Sequence, residues 1–186
     1  KIQGLLEEPH QSKEQQVDLL LEQARLFDLI GNWEAAITSL SKVLQIKPDE
    51  DLAWYNRGIA LSNLDRHEEA IASYDKALQL NPDDDSTWYD RGWALDELGS
   101  YEEAIASYAR ALRIKPDYAL ALASLVFQLA QICDWDALQS HTAAIPQLGI
   151  AGAKVFPFGL LHSEDNPARH RKRSELYAKN TFQRQE

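Results

Sequence analysis

The chain has one cysteine and no methionine among its 186 residues. A single thiol excludes an internal disulfide and any zinc site built on cysteines. With no Met even at its first position, the chain is read as a piece of a longer protein. Long apolar runs are missing as well, since none approaches the roughly 18–20 residues needed to cross a bilayer. The opening stretch KIQGLLEEPHQSKEQQ has neither the basic head nor the apolar centre of a signal peptide. A cytoplasmic setting without a membrane partner is therefore expected. Basic side chains are in deficit, with 19 Lys and Arg against 29 Asp and Glu. The deficit lies in residues 1–148, which hold 12 basic and 25 acidic side chains, whereas residues 149–186 hold 7 and 4. An acidic body disfavours nucleic acid and anionic membrane, and favours basic or polar partners.

Catalytic and cofactor patterns are equally scarce. The eight glycines form no GxGxxG or phosphate loop, and His10, His67, His141, His162 and His170 have no HExxH spacing. His162 near Glu164 and His170 reads as surface rather than as part of a metal site, and Cys133 with His141 eight residues on is no nucleophile pair. Glu68–Glu69 and Glu102–Glu103 stand where helices begin, and there the dipole favours carboxylates without any need for paired-acid catalysis. No catalytic residue, metal or cofactor is expected.

What is present is a repeat. AWYNRGIALSNLDRHEEAIASYDKALQLNPDD from Ala53 matches TWYDRGWALDELGSYEEAIASYARALRIKPDY from Thr87. Pro48, Pro82 and Pro116 are each 34 residues apart, as are Trp54 and Trp88, Gly58 and Gly92, Tyr74 and Tyr108. Trp54, Gly58 and Leu61 fall on one helical stripe, and Ala70, Tyr74 and Ala77 on the next. Where two such helices cross, Gly58 and Ala70 leave room and the large rings fill the space beside them. Arg57 and Arg91 also recur, and a guanidinium running between helices to an acidic neighbour is favoured over a phosphate or carboxylate site.

These positions resemble the tetratricopeptide repeat (TPR) family, which implies an all-α superhelical solenoid of antiparallel helix pairs. The expected organisation is a helical N-terminal extension over 1–16, then repeats over 17–50, 51–84 and 85–118. A degenerate fourth repeat follows over 119–148, because Trp135 lies three periods after Trp33. In it Cys133 takes the turn place of Gly31 and Gly99, and Asp134 is the expected helix N-cap. Residues 149–186 are expected to form a linker and a capping helix, with Asn166 before Pro167 at the helix start. The basic run Arg169 to Arg173 reads as a solvated helix face more readily than as a nuclear signal or RNA contact. The fourth repeat is apolar on its groove side at Phe127 and Ala130. Something must therefore cover it, either the apolar segment 149–161 or, through self-association, a second copy.

The resemblance further implies a peptide-binding groove lined by the first helix of each repeat. Carried over residue by residue, the lining is Asp18, Leu21, Glu22, Arg25, Asp28 and Leu29, then Leu52, Tyr55, Asn56, Ile59, Ser62 and Asn63. The third repeat adds Ser86, Tyr89, Asp90, Trp93, Asp96 and Glu97. Among these, Tyr55, Asn56, Asn63, Tyr89, Asp90, Trp93 and Glu97 are the candidate contact residues for an extended protein or peptide segment, basic or polar in character. The Lys/Asn/Arg clamp of chaperone-binding TPR domains is matched only at Asn56, with Ser86 and Asp90 where cations would be needed. The junction around Cys133, Asp134, Trp135, Pro157, Phe158, Pro167, Arg169 and Tyr177 is similar to the linker of SPINDLY-type and O-linked N-acetylglucosamine transferases. That second resemblance implies the substrate-selecting front of a protein O-glycosyltransferase. The catalytic domain is not in this chain, and Phe156 and Phe158 replace the family's histidine-rich stretch.

Overall fold

A computed structural model describes residues 12–141, and among these every regular element is an α-helix. The expected linker and capping helix over 149–186, with Asn166, Pro167, His162, His170 and the Arg169 to Arg173 run, lie outside the described residues, as does most of the 1–16 extension. The chain divides into two compact units, Lys1–Pro82 and Asp83–Glu186.

The first unit holds α1 (Lys13–Leu29), α2 (Trp33–Ile46), α3 (Asp51–Ser62) and α4 (His67–Leu80), each packed on the next. Helix α1 starts at a reciprocal cap, in which Gln15 N donates to Ser12 Oγ at 3.2 Å and Ser12 N donates to Gln15 Oε1 at 3.0 Å. Asn32 caps α2 by accepting from Ala35 N at 3.2 Å. Between the helices of each pair the chain reverses through one left-handed residue, Gly31 (φ 71°) and then Asp65 (φ 57°). Val17, Ala24, Leu40, Val43, Leu44 and Ala53 form the core of the first half. In the second, Ala60, Leu61, Ala70, Tyr74 and Ala77 are buried.

The second unit holds α5 (Asp85–Glu97), α6 (Tyr101–Ile114), α7 (Ala119–Gln131) and α8 (Trp135–His141), again each packed on the next. Asp84 starts α5 by accepting from Ser86 N at 3.0 Å and from the Thr87 hydroxyl at 2.6 Å. The turn residues are Gly99 (φ 73°) and Cys133 (φ 58°), so Cys133 does take the glycine's place. Asp134 Oδ1 accepts from Ala137 N at 3.0 Å and caps α8. Thr87, Ala94, Leu95, Ala104, Tyr108, Ala111, Ala121, Leu125, Val126 and Leu129 make the core. Each unit is an all-α packing of consecutive helix pairs, as the TPR period of 34 implies.

One contact explains the glycine in each of the two clearest repeats. The Tyr108 ring lies over Gly92 so closely that an added Cβ would come within 2.7 Å of its Cε1, and Tyr74 stands closer still to Gly58. Both tyrosines are buried, whereas Trp54 and Trp88, expected as core, are only partly so. Trp54 is anchored at its polar edge, with Nε1 donating to the Pro48 carbonyl at 2.8 Å. Each tryptophan carries an arginine on its face, Arg57 at 5.9 Å and Arg91 at 5.8 Å. The arginines reach hydroxyls as well: Arg57 donates to Ser73 at 2.6 Å and Arg91 to Ser107 at 2.7 Å. Both serines donate in turn to the carbonyl four residues back. In the first repeat the same place holds Gln23, which accepts from Ser39 at 3.2 Å. Burial lowers the Arg57 pKa, with Glu69 acting against it. These arginines hold helix pairs together and are not assigned to a ligand.

Candidate functional site

Helices pack through small residues on one side, so the other side of each first helix is free to vary. In the first unit, Ala24, Arg25, Asp28, Ala36, Leu40, Asn56 and Ile59 surround a cavity of about 100 Å³. Four of these, Arg25, Asp28, Asn56 and Ile59, were carried over from the family groove, and α1 and α3 bring them to one place. Arg25 is already held by Glu22, through Nε at 2.9 Å and Nη2 at 2.6 Å, and this pairing lowers the Glu22 pKa. Asn56 is exposed. Tyr55 is half-buried, its ring 6.2 Å from that of Tyr74. Asn63 has a local task, donating from Nδ2 to the Ile59 carbonyl at 2.9 Å and so satisfying a terminal carbonyl of α3. Ser62 is buried and shares a 3.4 Å hydrogen bond with the Tyr74 hydroxyl, so it belongs to the helix crossing and not to an open lining.

The second unit presents a different face. Trp93 is 38% exposed on α5, with Asp90 half-buried one turn before it and Glu97 exposed one turn after. Tyr89 lies between two other rings, 5.7 Å from Tyr108 and 5.2 Å from Tyr118, so its phenol is a wall of the face as much as a contact. Burial raises the pKa of Tyr89 and pushes Tyr118 up to about 12, so both remain neutral donors at physiological pH. Asp96 is half-buried and its pKa is raised by burial, against a lowering interaction with the Gln128 side chain.

Sequence reasoning passed over Gln128, Ser124 and Tyr118. Ser124 faces Tyr89 and Tyr108 from α7. Gln128 is 1% exposed, and its signal was in the register: it stands two periods after Ala60 and one after Ala94, both fully buried. A carboxamide in an alanine place needs a polar neighbour, and Asp96 is that neighbour. Among the described residues no group of His, Cys, Asp and Glu is arranged to hold a metal, and no helix is long and apolar enough to cross a membrane.

The tetratricopeptide repeat profile matches residues 52–84 and 86–118, and a second TPR profile matches 29–65. Among solved structures, a mutant O-GlcNAc transferase from Thermobaculum terrenum is 28% identical over 63% of this chain, with a TM-score of 0.58. This chain spans only 23% of that one. The first TPR of Spaghetti (RPAP3), solved with the HSP90 peptide SRMEEVD, is 24% identical over 64% of this chain and 94% of its own, with a TM-score of 0.62. MamA from Desulfovibrio magneticus RS-1 is 21% identical over 73% of this chain and 77% of its own, at a TM-score of 0.66. The last two share the fold. No curated protein sequence matches this chain. The 34-residue period, the glycine under a buried tyrosine and the matching profiles together make residues 29–118 a run of tetratricopeptide repeats.

Proposed function

We propose that this chain is a protein-interaction scaffold whose first-helix faces bind an extended, basic or polar segment of a partner, with repeats at 17–50, 51–84, 85–118 and 119–148. The observation that carries this reading is Trp93, a large ring 38% exposed on α5 between Asp90 and Glu97. Exposed aromatics among polar residues are where binding energy concentrates. Tyr55 and Tyr89 stiffen the faces, and Asn56, Asp90 and Glu97 supply polar contacts. The RPAP3 relative holds an acidic peptide, but the carboxylates of Asp90, Asp96 and Glu97 would repel such a tail. Partner peptides are therefore compared on wild-type and Trp93→Ala protein, because Tyr89→Ala would also disturb the ring stack. A loss of tenfold or more in affinity is expected, and unchanged affinities would remove the assignment.

A second reading rests on the Thermobaculum terrenum match and on residues 131–180. In it the repeats select substrates for a SPINDLY-like O-glycosyltransferase whose catalytic domain lies elsewhere in a longer protein. A nucleotide-sugar-binding domain following Glu186 in the parent gene would support this reading, and its absence there would sink it.

A further inference from the structure

On α5, Asp96 lies one turn beyond Trp93, on the side turned toward α7. Its carboxyl is half-buried and lies beside the Gln128 carboxamide. With the amide nitrogen side serving a carboxylate, Gln128 Oε1 is left without a hydrogen-bond donor, although Gln128 is only 1% exposed. The Tyr108 hydroxyl, fully buried and within the field of Asp96, has Ser124 beside it but no partner at hydrogen-bonding geometry. Buried polar atoms left unmatched in such a place are costly and rare in native folds. Three basic side chains of the second unit are engaged elsewhere. Arg91 donates to Ser107, Arg110 reaches Asp83 at 3.5 Å, and Lys115 reaches Asp85 at 3.7 Å. No ion pair to Asp96 or Glu97 is formed among the described residues.

Resting on the peptide-binding reading above, we propose that this place receives an arginine side chain of the partner, its guanidinium against Asp96 and the Gln128 carboxamide, with the Trp93 ring alongside. The chemistry selects arginine over other residues. A guanidinium presents five donors in a planar fork, enough for a carboxylate and a neighbouring amide oxygen at once, and it loses water more readily than an ammonium. Its flat face also stacks on indole. Glu97, exposed on the same helix, adds negative potential at the entrance. The arrival of a cation reverses the burial penalty that keeps the Asp96 pKa above its ordinary value. The α3–α4 pair has no counterpart, because Ser62 there completes the Tyr74 hydroxyl and Asn63 caps its own helix.

The test uses an array of ten-residue peptides in matched sets, identical except for arginine, lysine or citrulline at one central place. Binding to wild-type, Asp96→Asn and Trp93→Ala protein is measured by fluorescence anisotropy. Arginine peptides should bind wild type at least tenfold tighter than their neutral citrulline counterparts. Asp96→Asn should abolish that preference without lowering the melting temperature at pH 7. Equal binding of citrulline peptides, or an arginine preference that survives Asp96→Asn, would overturn the inference. In that case Trp93-dependent binding of any set would still leave the peptide-binding reading standing. If no peptide binds in a Trp93-dependent way, both readings fall.

Discussion

The α3–α4 pair and the α5–α6 pair are built on one skeleton and finished differently. In each, a glycine (Gly58, Gly92) admits a buried tyrosine (Tyr74, Tyr108), and an arginine spans from a tryptophan face to a serine sixteen residues on. The differences gather on the other side of the first helix. Asn56, Ile59, Ser62 and Asn63 in one pair become Asp90, Trp93, Asp96 and Glu97 in the other. In the first pair two of these residues serve the fold, since Ser62 meets Tyr74 and Asn63 caps α3. In the second they leave Tyr108 unpaired, hold a carboxylate half-buried and expose an indole. A helix face that gives up local satisfaction while its packing side is unchanged is the pattern expected of a binding surface.

That contrast can be tested by substitution. The largest effect should come from the shared packing side. Gly58→Ala forces its Cβ into the Tyr74 ring and should cost about 1–3 kcal/mol of overpacking, partly offset by roughly 1 kcal/mol of helix propensity. Gly92→Ala should cost less, because the Tyr108 ring stands slightly farther away. Urea unfolding midpoints give the ranking, and a reversed order would mean the two crossings are not equivalent.

The tyrosine hydroxyls should separate the pairs by sign. Tyr74→Phe removes the Ser62 partner and should cost about 0.5–1.5 kcal/mol. Tyr108→Phe removes a buried hydroxyl without a partner and should be neutral or stabilising. If both substitutions destabilise equally, Tyr108 has a partner and the distinction fails.

The turns offer a finer comparison. Gly99→Ala places a side chain at φ 73° and should cost about 1 kcal/mol, whereas Cys133→Gly at φ 58° should regain a similar amount, because the thiol is exposed. Thermal unfolding of the two variants tests this, and a destabilised Cys133→Gly would show that the thiol has a contact after all.

The smallest effect concerns pH. The Asp96 pKa is raised in the fold, so protonation favours the folded state. That stabilisation is complete below the ordinary aspartate value of about 3.9 and is lost as pH rises through the folded value. Asp96→Asn should therefore equal or exceed wild type in stability at pH 7, with the difference closing on acidification. A wild type that is more stable than the variant only at neutral pH would contradict the burial argument.

Much of this was legible in the residues. The period of 34 names the helix pairs because Gly58, Tyr74 and Pro82 each have one steric task that few other residues can perform. Cys133 reads as a turn residue once Trp135 is counted against Trp33, and its left-handed backbone agrees. The partners of Arg57 and Arg91 were less legible. Acidic neighbours were the natural expectation, and Glu69 does act on Arg57, but Ser73 and Ser107, which recur in register and meet the guanidiniums, were not foreseen. Gln128 was missed because its stripe of Leu125, Val126 and Leu129 reads as plain core. Ser62 was placed in the lining by family position, and the Tyr74 hydroxyl draws it inward.

Spacing alone decides which residues share a helix face and which small residues let helices touch, because both follow from 3.6 residues per turn and from side-chain volume. It therefore dictated the all-α repeat, the turn places and the acidic character of α5. Which polar atoms find partners across neighbouring helices depends on distances of a few tenths of an ångström, set only when α5, α6 and α7 pack. The crossing of α3 and α4 likewise pairs Ser62 with Tyr74, and the packing of α5, α6 and α7 leaves Tyr108 and Gln128 Oε1 unmatched beside Asp96.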